Sequence, residues 1–174
     1  LPQDILIRPI GANGIPFHYV WTGGDGTLDV SVTLSDSRKA GVGLTLTDAS
    51  GKEVARAENL QGPVVSHRFD LHRPHKWSAE DPYLYQLEVT LAEGRKVTQT
   101  LHFNVGFRKV EIVGSDLLVN GERVLIKGVN RHELDPDGGY MVSRRRMEQD
   151  ILTMKRFNIN AVRTCHYPDD PYWY

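Results

Sequence analysis

Two short apolar runs that each end abruptly in polar side chains constrain this chain more than any other feature. They are Gly128-Val-Asn-Arg-His-Glu133 and Ala161-Val-Arg-Thr-Cys-His-Tyr-Pro168, with a helical stretch between them. Consecutive strands of a parallel barrel read this way when their carboxyl ends carry a polar site. One strand–helix–strand unit cannot close a barrel. The sequence starts at Leu1 rather than a methionine and runs only to Tyr174, so a piece of a larger enzyme is expected.

Upstream of these runs the pattern is β. Candidate strands are Phe17–Trp21, Leu28–Leu34, Val42–Thr47, Glu53–Ala57, Val64–Phe69, Leu84–Leu91 and Val97–Phe103. Leu28-Asp-Val-Ser-Val-Thr-Leu34 and Leu87-Glu-Val-Thr-Leu91 alternate apolar with polar, which implies one buried and one wet face. Turn signals separate the strands at 23–26, Asp48-Ala-Ser-Gly51 and Ala92-Glu-Gly-Arg95. Short antiparallel strands in this number over about 100 residues predict an immunoglobulin-like sandwich, here without a Cys–Trp–Cys signature. The fold class expected is mainly β: an immunoglobulin-like β-sandwich over 1–107, then the first βαβ portion of a TIM (β/α)8 barrel over 108–174.

Within the second part, Leu117–Ile126 reads as two apolar runs joined at Asn120-Gly121, a type I′ hairpin signal. Barrel strands are expected at 124–127 and 161–164. Between them Ser143 is a candidate N-cap, followed at helical spacing by Met147, Ile151, Met154 and Phe157. Asn158-Ile-Asn160 ends that helix. The Arg144-Arg-Arg146 run opposes the helix dipole and reads as a solvated face, or as a contact to an acidic neighbour.

With 21 basic and 22 acidic side chains, charge supplies no hold on nucleic acid or an anionic membrane. No apolar run approaches the length of a membrane span. The single Cys165 excludes an internal disulfide.

Read together, these segments resemble the glycoside hydrolase family 2 enzymes, most closely the β-galactosidases of the large bacterial type. Leu125-Ile-Lys-Gly-Val-Asn-Arg-His-Glu133 is similar to the family's first barrel strand and its loop, and Gln149-Asp-Ile-Leu-Thr-Met-Lys155 to the first helix. Asn160–Pro168 is similar to the second strand. Trp77-Ser-Ala-Glu-Asp-Pro-Tyr-Leu-Tyr85 is similar to a segment late in the preceding sandwich, and Val105-Gly-Phe-Arg108 to the join between domains. β-Glucuronidases and β-mannosidases share the architecture, and Asn130-Arg-His-Glu133 with Gln149-Asp-Ile-Leu152 tilts the choice towards galactosidase. One departure is the loop Leu134-Asp-Pro-Asp-Gly-Gly139, where the galactosidase pattern continues into further histidines.

The resemblance implies substrate-binding roles for His132 and His166, each donating to galactosyl hydroxyls from the end of a strand. It implies that Arg163 supports a nucleophilic Glu carried elsewhere in the parent; Asn130 is a second candidate for that supporting role, as a side chain able to orient a ligand. The competing readings are loop histidines satisfied by backbone, a structural ion pair at Arg163, and a strand-end cap at Asn130. Asp135-Pro-Asp-Gly138 lacks the third acidic position of a calcium loop and reads as a turn. His72 and His75 read as solvated, Cys165 as a small buried barrel residue, and Trp77 as a plug of the sandwich.

The activity expected of the parent is hydrolysis of terminal β-D-galactosides with retention. That chemistry needs an acid/base and a nucleophilic carboxyl about 5–5.5 Å apart. Neither catalytic carboxylate is assigned here, and no metal is assigned to this chain. Magnesium and sodium belong, by the resemblance, to the parent, which is expected to be a homo-oligomer in the cytoplasm, with the periplasm as the alternative. Two further readings are a non-catalytic carbohydrate-binding Ig-like module and a structural spacer.

Overall fold

A computed structural model describes residues 5–7, 17–22, 26–34 and 40–174 of the chain. Most of the turn expected at 23–26 lies outside the described residues. The chain divides into two compact units, Leu1–Arg123 and Val124–Tyr174.

In the first unit the sandwich strands are β1 (Ile5–Ile7), β2 (Phe17–Thr22), β3 (Thr27–Thr33), β4 (Ala40–Thr47), β5 (Glu53–Leu60), β6 (Val64–Asp70), β7 (Tyr85–Glu93) and β8 (Lys96–Val105). They form two four-stranded antiparallel sheets, in the orders β1-β2-β3-β6 and β5-β4-β7-β8. Strand alternation fixes which side chains meet between them. Leu28, Val30 and Val32 of β3 share one core with Val42, Leu44 and Leu46 of β4 and with Leu87, Val89 and Leu91 of β7. The intervening polar residues of β3 stay only half-buried. This is the sandwich that the alternation predicts, with the three-residue β1 added.

Local chemistry places the turns. Asp48 Oδ1 accepts from the backbone N–H groups of Ser50 and Lys52 at 2.9 and 3.0 Å, which closes the β4–β5 loop. Between β7 and β8 only Gly94 and Arg95 stand outside the ladder, and Gly94 has φ +62°, as the first central position of a type II′ turn requires. The edge strand β5 is irregular. Its pairing with β4 shifts register twice, and Arg56 bridges Glu53 and Glu58 at 2.5 and 2.7 Å.

The hairpin follows the sandwich as β9 (Val110–Val113), β10 (Asp116–Val119) and β11 (Glu122–Arg123). Asn120 and Gly121 have φ +53° and +85°, the double positive φ of a type I′ turn. The Asn120 side chain accepts from Lys109 N–H at 3.0 Å and donates to Trp77 C=O at 2.9 Å. Trp77 also lies under the Arg108 guanidinium, 4.8 Å from the ring centroid.

The second unit is a strand–helix–strand crossover: β12 (Gly128–Arg131), α1 (Arg144–Arg156) and β13 (Ala161–Thr164), with a 3₁₀ turn at Pro171–Trp173. β12 and β13 are parallel, with Gly128 opposite Ala161 and Arg131 opposite Thr164. Here one expectation is corrected: the first barrel strand begins at Gly128 rather than Val124. Its partner starts at Ala161, so residues 124–127 have no strand beside them. The Asn160 side chain serves instead, accepting from Lys127 N–H at 2.8 Å and donating to Leu125 C=O at 3.0 Å.

Ser143 caps α1 as expected, its Oγ accepting from Arg146 N–H at 3.3 Å. The other end closes in a Schellman pattern, with Ile159 N–H bonded to Met154 C=O at 2.9 Å and Asn158 N–H to Lys155 C=O at 3.0 Å. Asn158 takes the left-handed position at φ +56°. Of the expected apolar stripe only Met147 is fully buried, while Phe157 is 75% exposed. No described helix is long and apolar enough to cross a membrane.

Candidate functional site at the ends of two parallel strands

Pleating sorts the side chains of the β12–β13 pair onto two faces. Asn130 and Arg163 stand opposite one another in the register and share the exposed face, which forms a shallow depression with Ile126, Gly128 and Ala161. Arg131 projects to the other side, where it is 6% exposed. The two sequence-expected histidines emerge just beyond the strands and lie together. Their ring centroids are 6.0 Å apart with an interplanar angle of 85°, and Tyr167 adds a third ring 6.2 Å from His132. Both histidines are exposed. Imidazoles so placed can each present a ring nitrogen to one polyhydroxylated ligand.

The segments that carry these histidines are cross-linked to each other. Glu133 N–H donates to the Tyr167 hydroxyl at 3.0 Å, and Asp170 N–H donates to Glu133 Oε1 at 3.1 Å. The carboxylate of Glu133, the acid nearest the histidines in sequence, is therefore engaged in joining the two loops. Behind the histidines Arg131 Nη1 bonds Asp169 Oδ2 at 2.8 Å and Nε bonds Asp150 Oδ2 at 3.1 Å. The guanidinium also lies 3.9 Å from the centroid of the Trp173 ring. Asp169 N–H donates to the Tyr174 hydroxyl at 3.1 Å. Tyr172 bonds Glu148 of α1, and Arg144 lies over the Tyr172 ring at 4.5 Å.

Arg163 differs from its expected setting. It is exposed, and among the described residues no carboxylate pairs with it; its Nη1 lies 3.9 Å from Cys165 Sγ. The reason is geometric, since every carboxylate gathered behind the strands is on the Arg131 side. Asn130 lies within the strand, exposed on the open face. Cys165 is buried as expected, 1% exposed, and its N–H continues the ladder to Arg131 C=O at 2.8 Å.

The loop between β12 and α1 is a turn built on Asp135. Its Oδ1 accepts from the N–H groups of Asp137 and Gly138, and Oδ2 accepts from Arg146 Nε at 2.8 Å. The Asp137 N–H, then the Arg146 guanidinium and the Gly138 N–H, lower the Asp135 carboxyl from its ordinary 3.8 to about 2. Of the three arginines that open α1, Arg146 thus has an acidic neighbour. His75 is exposed, as read, and on that surface it meets Asp81 at 2.5 Å and stacks on Tyr83 at 4.1 Å.

Sequence reasoning missed Arg131 and Asp169. A signal for Arg131 was present: it shares strand parity with Val129, on the face that α1 must cover, and a basic residue there needs an acid. Asp169-Asp170 directly after the His-Tyr-Pro segment was the available partner. Among the described residues no group of three or more His, Cys, Asp or Glu is arranged to hold a metal ion.

Residues 17–108 match the family described as glycosyl hydrolases family 2, and residues 110–174 match the TIM barrel domain of glycosyl hydrolases family 2. The β-galactosidase of Pectobacterium atrosepticum is 40% identical over 166 residues, covering 86% of this chain and 16% of that protein. That of Halalkalibacterium halodurans is 41% identical over 155 residues, covering 86% and 15%. The chain thus spans about 15–16% of the length of these two curated relatives. Among solved structures, a β-glucuronidase from Ruminococcus gnavus in complex with a C6-substituted uronic isofagomine superposes with a TM-score of 0.73. It is 26% identical, over 99% of this chain and 28% of that one. Lactobacillus rhamnosus β-glucuronidase gives a TM-score of 0.72 and 28% identity, over 99% and 27%.

Proposed function

The chain belongs to glycosyl hydrolase family 2, and from that premise we propose that it is part of a retaining β-galactosidase in which His132 and His166 hold the terminal sugar. The observation that carries the reading is the pairing of the two rings at 6.0 Å beyond adjacent parallel strands. Two imidazoles at that separation can each donate to a hydroxyl of one pyranose. Such bonds accelerate the reaction to the extent that they tighten as positive charge develops on the sugar ring. The choice of galactoside is supported by relatives named β-galactosidase at 40–41% identity.

Within this reading residues 1–107 form the sandwich domain and 108–174 open the barrel. The acid/base and nucleophilic carboxyls come from elsewhere in the parent. Arg163 and Asn130, on the open face, support the nucleophile from the strand beside the sugar. Glu133 joins the two loops through Oε1. A second reading, a β-glucuronidase, is favoured by the named activity of the solved structures at 26–28% identity.

The full-length parent, assayed on nitrophenyl β-galactoside and β-glucuronide, separates the two. Hydrolysis of the galactoside with retention is expected, and hydrolysis confined to the glucuronide overturns the galactosidase reading. His132→Phe or His166→Phe should each lower kcat/KM by roughly 10²- to 10⁴-fold, as expected for hydrogen bonds that strengthen at the transition state. Unchanged kinetics in both would remove the histidines from the site.

A further inference from the structure

We propose that Arg131 is a positioning residue: its buried guanidinium fixes the separation and orientation of His132 and His166 by tying the end of β12 to the segment that follows β13. The proposal rests on the reading that the two histidines hold the sugar. Its physical core is independent of that reading.

Arg131 directly precedes His132, and Asp169 lies three residues beyond His166. The Arg131–Asp169 bond therefore joins the two histidine-bearing segments one residue from His132 and three residues from His166. The side chains are 5% and 0% exposed, so water does not loosen the contact. Asp150 of α1 holds the guanidinium on a second edge and the Trp173 ring covers its face. A planar fork held on two edges and one face has little freedom to rotate.

The pair is also an inefficient way to stabilise a fold. Arg131 Nη2 and Asp169 Oδ1 are buried and have no hydrogen-bond partner among the described residues. Apolar residues of similar volume commonly replace a buried ion pair at no loss of stability. What an apolar pair cannot supply is direction, since dispersion contacts tolerate sliding that a charged hydrogen bond does not. On this argument the pair sets where the second histidine sits relative to the first. A displacement of about 1 Å at such a site can cost about 10²-fold in rate.

The test compares Arg131→Met/Asp169→Leu, which removes both charges together, with the unaltered protein. In the 174-residue chain the expected result is a thermal midpoint close to that of the parent sequence, with loss of the ring-to-ring proton Overhauser contact between His132 and His166. In the full-length protein the same pair of substitutions should lower kcat by about 10- to 100-fold, with a smaller change in KM. Arg131→Lys, which keeps the charge opposite Asp169 but loses the planar fork, serves if the double variant does not fold, with the same changes in smaller degree. Retention of the histidine contact in a folded variant overturns the proposal, whether or not activity falls. Loss of the contact with unchanged kcat upholds the positioning role and overturns the sugar-binding reading instead.

Discussion

Replacing Asn160 with alanine tests how the start of the first barrel strand is fixed. The side chain makes two bonds to a backbone that lacks a strand partner, to Lys127 N–H at 2.8 Å and Leu125 C=O at 3.0 Å. A typical intramolecular hydrogen bond contributes about 0.5–1.5 kcal/mol net, so the substitution should cost about 1–3 kcal/mol. The lower half of that range is expected, because Leu125 and Lys127 are exposed and water can replace the lost partner. The local signature is sharper than the global one. Amide exchange at Lys127 should accelerate by about 2- to 12-fold, the free energy of one bond expressed as a ratio. Protection at Arg131 and Cys165 should change less. Asn160→Asp keeps the acceptor for Lys127 N–H and loses the donor to Leu125, so Lys127 should stay protected in that variant. Equal protection of Lys127 in all three proteins would refute the clamp. Equal loss in both variants would show that the donor to Leu125 matters and the acceptor does not. The stake is register: a slip of one residue would exchange Asn130 with Arg131 between the two faces.

Two other perturbations follow from the packing and the charges. Leu44→Ala, at a position with 0% exposure, should destabilise the sandwich by about 3–5 kcal/mol and lower its thermal midpoint by more than about 10 °C, read by calorimetry; a shift of a degree or two would mean that Leu44 is not packed as described. The Asp135 carboxyl, held at about 2 against an ordinary 3.8, contributes stability that is complete above its unfolded value and fades as pH falls from about 4 to about 2; carbon NMR of that carboxyl should titrate near the lower value, and a midpoint near 3.8 would contradict the turn.

The legible parts of this fold are those written in local sequence. Alternation marked β3 and β7, Asn120-Gly121 announced a turn with two positive φ angles, and Ser143 and Asn158 marked the ends of α1. The first barrel strand was misplaced because Val124-Leu-Ile126 is the stretch with strand character. The strand itself, Gly-Val-Asn-Arg, has little, and is defined only by pairing with β13. β1 was missed since three residues give no period. The histidine pair was legible because polar residues ending apolar runs are conspicuous. Arg131 was not, because its partners Asp150 and Asp169 lie far along the chain, and only the crossover brings them behind one strand.

The irregular margin formed by β5 bears on how the sandwich behaves at high concentration. An edge strand exposes a row of unpaired backbone groups on which a foreign strand can add. β5 offers a poor template: its two register shifts break the spacing that an incoming ladder would have to match. Glu53, Arg56 and Glu58 are 44–58% exposed at that edge, so any strand docking there must first strip water from three charges. β5 thereby discourages docking along its own edge, and this side of the sandwich is protected from edge-to-edge aggregation.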